Sequence, residues 1–272
     1  GEYKAKDCLK ITEDLLVKEK QLKIKEILCQ ASDFKKIILD STSYNGLAFF
    51  KDALEEALKE GKNYIFRSAA SLPKVIGNVV EKPLLLREDL ITDEVVVGGL
   101  VIVGSHVEKT NRQLSCLKSS SIELEYIEFD AKTALDVERL SDESNRVRLL
   151  TEDSLRSGKT VVIYTSRELL NHSMDDEEKL KASVRLSFGV SKVVNRLRVK
   201  PKFIIGKGGI TSSDIGTKGL QVKKAKVLGQ VKPGIPVWET DEHSKFPKIP
   251  YIIFPGNVGQ DETLLEIVSM LI

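Results

Sequence analysis

Apolar runs alternating with amphipathic patterns predict an α/β protein whose mostly parallel sheet is sandwiched by helices. Three observations lead to that class. Residues 100–103, 160–164, 202–205 and 251–254 have the shortness and unbroken hydrophobicity of strands buried on both faces. The intervals between them carry apolar residues at helical spacing. Three of the four runs end in glycine accompanied by a hydroxyl or amide residue, and ligands of parallel sheets bind outside the carboxyl ends of strands.

In chain order, residues 2–31 place Leu15, Leu22, Ile27 and Leu28 among charges, which predicts one or two amphipathic helices and no opening strand. Residues 36–39 predict a short strand closed by Asp40-Ser41-Thr42-Ser43. A helix over 47–60 should follow, with Phe50, Leu54, Ala57 and Leu58 on one face and Gly61 as its stop. Residues 64–66 read as another strand leading into Arg67-Ser68-Ala69-Ala70-Ser71. Proline and alternating charge over 82–93 read as a linker, so a domain boundary is expected near residue 92. Beyond it come a helix around 109–117 and a long helix over 176–198, whose acidic start suits the helix dipole. A last helix is expected to be capped by Asp261, with Leu264, Val268 and Leu271 on one stripe.

Composition narrows the function classes. The 272 residues are 41% hydrophobic, enough for a proper core, and 42 basic residues face 40 acidic ones. That balance gives no footprint for nucleic acid or an anionic membrane. Lys223, Lys224 and Lys226 read as a solvated strand edge. The three cysteines, Cys8, Cys29 and Cys116, form no CxxC or Cys/His cluster, which argues for a reducing compartment and against structural zinc. No apolar stretch reaches membrane-span length and no signal sequence opens the chain, so a cytoplasmic location is expected.

Gly206 to Ser213, GKGGITSS, is the richest segment for chemistry. Paired glycines let the backbone approach a ligand and turn several N–H groups toward one anion, and the hydroxyls of Thr211, Ser212 and Ser213 add donors. It is not a Walker A loop, and a tight strand-to-helix turn suits the same residues equally. Lys207 is expected to point into solvent. Ser105 suits either a helix cap or a phosphate or ribose contact, and the segment from Pro255 to Gly259 suits either a turn or a ligand loop. Few charged side chains and many backbone amides fit a polyphosphate that brings its own magnesium. Arg67 is a candidate for gripping a carboxylate bidentately and Asp40 for a catalytic carboxylate, though an exposed arginine and a turn aspartate are the commoner roles. His106, His172 and His243 share no spacing and receive no role, and Trp238 reads as packing.

The order of these segments resembles that of the four-carbon acid sugar kinases. The resemblance rests on Gly104-Ser105 with Thr110 and Gln113-Leu114, on Gly208-Gly209-Ile210-Thr211-Ser212, on Lys232-Pro233-Gly234-Ile235-Pro236, on Gly256-Asn257-Val258-Gly259, and upstream on Phe66-Arg67-Ser68-Ala69-Ala70-Ser71. It runs from about Ile37 to the C-terminus. It implies ATP-dependent phosphorylation of a hydroxyl of a tetronate-like sugar acid, with Mg2+. Carried over, Ser105, Gly208, Gly209, Ile210, Thr211, Gly256 and Gly259 become nucleotide contacts, and Arg67 and Ser71 substrate contacts. The family's aspartate-rich opening has no counterpart here, and the chain starts at Gly1 rather than Met. The expectation is therefore a C-terminal portion of such an enzyme, incomplete for catalysis alone. Residues 1–92 would be the end of a substrate-binding domain and 93–272 the nucleotide-binding domain. A homodimer is left open, and the catalytic base is unassigned. Two other classes compete: a non-catalytic nucleotide- or ligand-binding module, and a nicotinamide-dependent oxidoreductase. The latter lacks GxGxxG after its first strand.

Overall fold

A computed structural model describes residues 8–91, 96–105, 107–166 and 175–272. The chain divides into two compact units, Gly1–Lys82 and Pro83–Ile272.

The first unit opens with strand β1 (Leu9–Ile11), helix α1 (Gln21–Gln30), strand β2 (Ile37–Leu39), and helices α2 (Tyr44–Lys59) and α3 (Ser71–Ile76). Within residues 2–31, α1 bears out an amphipathic helix, while β1 corrects the expectation of no opening strand. Leu9 and Ile11 flank Lys10 with strand periodicity, and β1 pairs in parallel with β2 from Leu9 opposite Ile37 to Ile11 opposite Leu39. In α1 the buried pair is Ile24 and Leu28, four residues apart, while Leu22 faces water. The hydroxyl of Ser43 accepts from the Gly46 amide at 3.0 Å and caps α2. Phe50, Leu54 and Ala57 of α2 are buried as expected, Leu58 is exposed, and Gly61 ends the helix in a left-handed conformation. The strand expected over 64–66 is absent. Ile65 is fully exposed and the segment has no ladder partner, so its β-branched composition was not matched by a sheet edge to join.

The second unit continues with helix α4 (Arg87–Leu90), strand β3 (Leu100–Val103), helix α5 (Glu108–Lys118), strand β4 (Glu125–Phe129), helix α6 (Val137–Arg156), strand β5 (Val161–Thr165), and helix α7 (Asp176–Arg196). Then come strand β6 (Ile204–Lys207), helix α8 (Gly209–Asp214, prolonged by a wider turn to Gly219), strands β7 (Ala225–Lys232), β8 (Ile235–Thr240) and β9 (Pro250–Phe254), and helix α9 (Thr263–Leu271). The segment between residues 83 and 91 belongs to this unit. The amide of Leu85 donates to the carbonyl of Gln230, and Leu90 is buried.

The sheet has seven strands in the order β4-β5-β3-β6-β9-β8-β7. The first five run parallel, and the β7–β8 hairpin adds two antiparallel strands at one side. All four β3 side chains are buried, alternating between two cores. Leu100 and Ile102 join residues of α6 and α7 on one face, and Val101 and Val103 join Leu114 and Leu117 of α5 and Leu264 of α9 on the other. Burying each such side chain is worth about 1.5–3 kcal/mol, so β3 anchors both layers. Lys223, Lys224 and Lys226 lie at or beside edge strand β7, exposed as expected. Trp238 packs edge-on to Tyr251 at 6.4 Å.

Gly98, just before β3, has no room for a side chain. A Cβ there would lie 1.8 Å from the carbonyl oxygen of Lys159, whereas one at Gly209 would meet nothing within 4 Å. Gly98→Ala should therefore destabilise the protein by roughly 2 kcal/mol or more, and Gly209→Ala by less than about 0.5 kcal/mol, as read from urea denaturation midpoints.

Candidate functional site

β3 and β6 are neighbours, with Val103 opposite Lys207. Their exits diverge: the chain after β3 leads to α5 on one face, and the chain after β6 leads to α8 on the other. The seam between them is a topological switch point, where open α/β sheets bind ligands. The parallel register brings Gly104-Ser105 level with Gly208-Gly209. A Cβ on Gly104 would sit 2.5 Å from the Thr211 hydroxyl, and one on Gly208 would sit 2.9 Å from Cβ of Ser105. Gly256, after β9, joins the same cluster, since a Cβ there would lie 3.2 Å from the Ser105 hydroxyl. Gly208 holds φ +121°, a conformation that L side chains rarely adopt.

Close packing of α8 on the sheet depends on Gly206. The Ser212 hydroxyl donates to the Gly206 carbonyl at 2.6 Å, and the Tyr251 hydroxyl donates to the Ser212 carbonyl at 2.6 Å. A side chain at Gly206 would collide with both. Burial pushes the Tyr251 phenol far above its usual range, so it stays a neutral donor.

Beside this cluster opens a cavity of about 580 Å³. Gly104, Ser105, Gly208, Gly209, Ile210 and Thr211 line one side. The opposite wall comes from α7, with Lys179, Ser183, Leu186, Ser187 and Val190, and Thr165, Ala131 and Ile215 complete it. Sequence reasoning did not assign the α7 wall, because polar and apolar residues at helical spacing read as an ordinary half-buried face. Thr165-Ser166 after an apolar run carried the same signal as Gly104-Ser105 and was the available clue.

The segment from Pro255 to Asp261 is braced from the α5 side. Lys207 donates from Nζ to the carbonyls of Pro255 at 2.7 Å and Gly256 at 3.3 Å. Thr110 donates to the Gly256 carbonyl at 3.1 Å, Gln113 to those of Val258 at 3.1 Å and Gln260 at 2.8 Å, and Lys109 to that of Gly259 at 3.1 Å. In a trans peptide the N–H points opposite the carbonyl. The amides of Gly256, Asn257 and Gly259 therefore face away from α5, with no protein acceptor among the described residues. Outward amides in such an array are chemically suited to an anion.

Several expectations change here. Lys207 is fully buried rather than solvent-facing, because the strand alternation that sends Gly206 to the α8 face sends Lys207 to the α5 face. Ser105 does not cap α5; Val107 holds the cap position and Ser105 accepts from the Val107 amide at 3.4 Å. Asp261 does not cap α9, whose cap position is Glu262; it pairs instead with Arg112 at 3.0 Å. Gly259 stands off from the cluster as a left-handed turn in the braced loop, φ +82°. Arg67 and Ser71 lie in the other compact unit, Arg67 exposed and Ser71 opening α3. His106 and His172 lie outside the described residues. Among the described residues no cluster of metal-ligating side chains occurs and no helix is long and apolar enough to cross a membrane.

Residues 100–264, more than half the chain, match the family model of the nucleotide-binding C-terminal domain. The chain belongs to that family. The matched segment contains Gly104-Ser105, Gly208 to Thr211, and Gly256 to Gly259, the same stretches in which the sequence resembles four-carbon acid sugar kinases. Solved structures share the fold. A Salmonella typhimurium LT2 protein, provisionally named a tRNA synthase, superposes with a TM-score of 0.65 at 14% identity over 96% of this chain and 59% of its own. A domain of unknown function (DUF1537) from Bordetella bronchiseptica, a domain-swapped dimer with bound citrate, gives 0.52 at 13% identity, covering 97% of this chain and 59% of its own. A Haemophilus influenzae protein of the DUF1537 family gives 0.51 at 18% identity, covering 93% and 52%. The chain thus spans between half and two thirds of the length of these structures. No curated protein matches it in sequence.

Within the nucleotide-binding domain, Lys207 is shifted into the neutral pH range. Burial, with the nearby Lys109 charge adding to it, lowers its pKa from 10.5 to about 7. The unfolded chain therefore binds more protons than the folded one between those values. The penalty of charging Lys207 is present in full below about pH 7 and is relieved as pH rises toward 10.5. Stability should increase from pH 7 to 9 in urea denaturation, and Lys207→Met should remove that increment.

Proposed function

We propose that this chain supplies the ATP-binding half of a kinase that phosphorylates a hydroxyl of a four-carbon, tetronate-like sugar acid. The observation that carries the reading is the convergence of Gly104-Ser105, Gly208 to Thr211, and Gly256 at one switch point beside a cavity of about 580 Å³. Membership of the nucleotide-binding family supports the coarser part of it.

The cavity's chemistry fits a nucleotide. Leu186, Val190 and Ile215 offer an apolar wall for a base, and the hydroxyls of Ser183, Ser187 and Thr165 offer ribose partners. Ser105, Thr211 and the backbone at Gly208, Gly209, Ile210 and Gly256 take the phosphates. Among the described residues the lining includes no carboxylate, so Mg2+ is proposed to arrive on the phosphates and keep most of its water. Phosphoryl transfer asks the protein mainly for positioning and charge stabilisation, which such amides provide.

On the acceptor side, Arg67 and Ser71 are proposed to grip the sugar acid's carboxylate and a hydroxyl. The Bordetella protein's bound citrate also pairs a hydroxyl with carboxylates, which agrees with a hydroxy-acid ligand class. A second reading is a nucleotide- or small-ligand-binding module without turnover, which the match to a nucleotide-binding domain supports equally.

The test uses Gly209→Trp, because open space around that residue lets the indole enter the cavity without disturbing the core. Calorimetry should show MgATP binding to the wild type and at least a tenfold loss in the variant, about 1.4 kcal/mol, at unchanged Tm. Equal binding by both proteins would place the nucleotide elsewhere. Incubation with MgATP and a four-carbon sugar acid then separates the two readings: ADP release in step with acceptor phosphorylation marks a kinase.

A further inference from the structure

Lys207 is a buried cation for which no carboxylate lies within ion-pairing distance among the described residues. Its amine nitrogen sits 3.8 Å from the centroid of the Phe254 ring and, among the described residues, donates to the carbonyls of Pro255 and Gly256. Among the same residues the charged group that acts on it is Lys109 on α5, a like charge engaged with the Gly259 carbonyl. Of the acidic groups on the neighbouring elements, Glu108 and Asp261 pair with Arg112, Glu266 of α9 pairs with Lys232, and Glu262 at the α9 cap is exposed to solvent. A buried charge is ordinarily paired, because desolvation of an isolated ion costs several kcal/mol. Gly256, whose carbonyl Lys207 holds, adjoins Ser105 and Gly208 at the mouth of the anion site.

We propose that Lys207 is a positioning residue of the anion site, holding the Pro255 and Gly256 carbonyls from behind so that the loop amides face the anion, and taking up from solvent the proton whose charge balances the anion's. The inference rests on the nucleotide reading above and adds a proton linkage to it. A neutral amine keeps two N–H donors, so both carbonyl bonds survive deprotonation; what changes with pH is the charge behind the loop. An anion at the loop favours the ammonium form, so binding takes up a proton where the empty protein has released it. Because that release centres at about pH 7 in the empty protein, the linkage falls in the weakly alkaline range.

Two measurements test it. The first is the dissociation constant for MgATP, and for the magnesium complex of tripolyphosphate as a probe without base or ribose, between about pH 7.5 and 9, where bound magnesium keeps both phosphate chains ionised. The constant should rise by up to about tenfold per pH unit in the wild type and stay flat in Lys207→Met. Calorimetry in buffers of different ionisation enthalpy should show the matching proton uptake. The second is amide hydrogen exchange over residues 254–261, which should be faster in the ligand-free Lys207→Met variant than in the wild type at the same pH.

A wild-type affinity for both probes that is independent of pH overturns the proton linkage, and equal exchange in the two proteins overturns the positioning role. If MgATP fails to bind but tripolyphosphate binds with the stated pH slope, the nucleotide reading falls and this inference stands. If neither probe binds, both fall. Should Lys207→Met fail to fold, the wild-type pH slope and proton uptake with tripolyphosphate decide.

Discussion

The parallel ladder between β3 and β6 is the constraint on which the candidate site depends. It sets Val103 opposite Lys207, so the residues that follow, Gly104-Ser105 and Gly208-Gly209, emerge side by side. A shift of one residue would turn Leu100 and Ile102 away from the α6–α7 core and would separate those glycines. Because β3 is buried on both faces and paired on both sides, such a shift would exchange its side chains between two differently shaped cores and disturb both neighbouring ladders. The packing that stabilises the sheet is thus the same packing that registers the site.

Around that ladder, missing side chains do as much as those present. Gly206 lets Ser212 and Tyr251 draw α8 onto the sheet, Gly104 admits Thr211, and Gly208 lets the chain turn at φ +121° against Ser105. From the other face, Lys109, Thr110, Gln113 and Lys207 occupy loop carbonyls after β9 and orient the amides outward. The candidate site is therefore lined largely by backbone, and the side chains that brace it act mostly from outside it. Among those braces Lys207 is a buried titratable group.

The central and last strands of the large unit were legible because their apolar runs are uninterrupted and have punctuated ends. β4, at the sheet edge, was not, since Glu125 and Glu128 break its hydrophobic pattern where the strand faces water. The β7–β8 hairpin was read only as a basic run and a proline-glycine segment, because its lysines mask a strand with one paired side. In the small unit, β1 was hidden within a charged stretch: a three-residue strand is too short for periodicity to distinguish it from a helix. Residues 64–66 show the converse, a β-like composition without a partner strand.

By itself the sequence determined the fold class, the glycine-hydroxyl turns after β3 and β6, and the family to which those turns belong. These are local properties, set by the pattern of apolar residues and by the conformational freedom of glycine. Only the tertiary structure decided that Lys207 turns inward, that Asp261 serves Arg112 rather than a helix end, and that α7 walls the cavity. Each depends on which face of a strand or helix meets a distant segment. Strand alternation makes Lys207 either a surface charge or a buried one according to what covers the α5 face, and that cover comes from residues about 50 and 100 positions away.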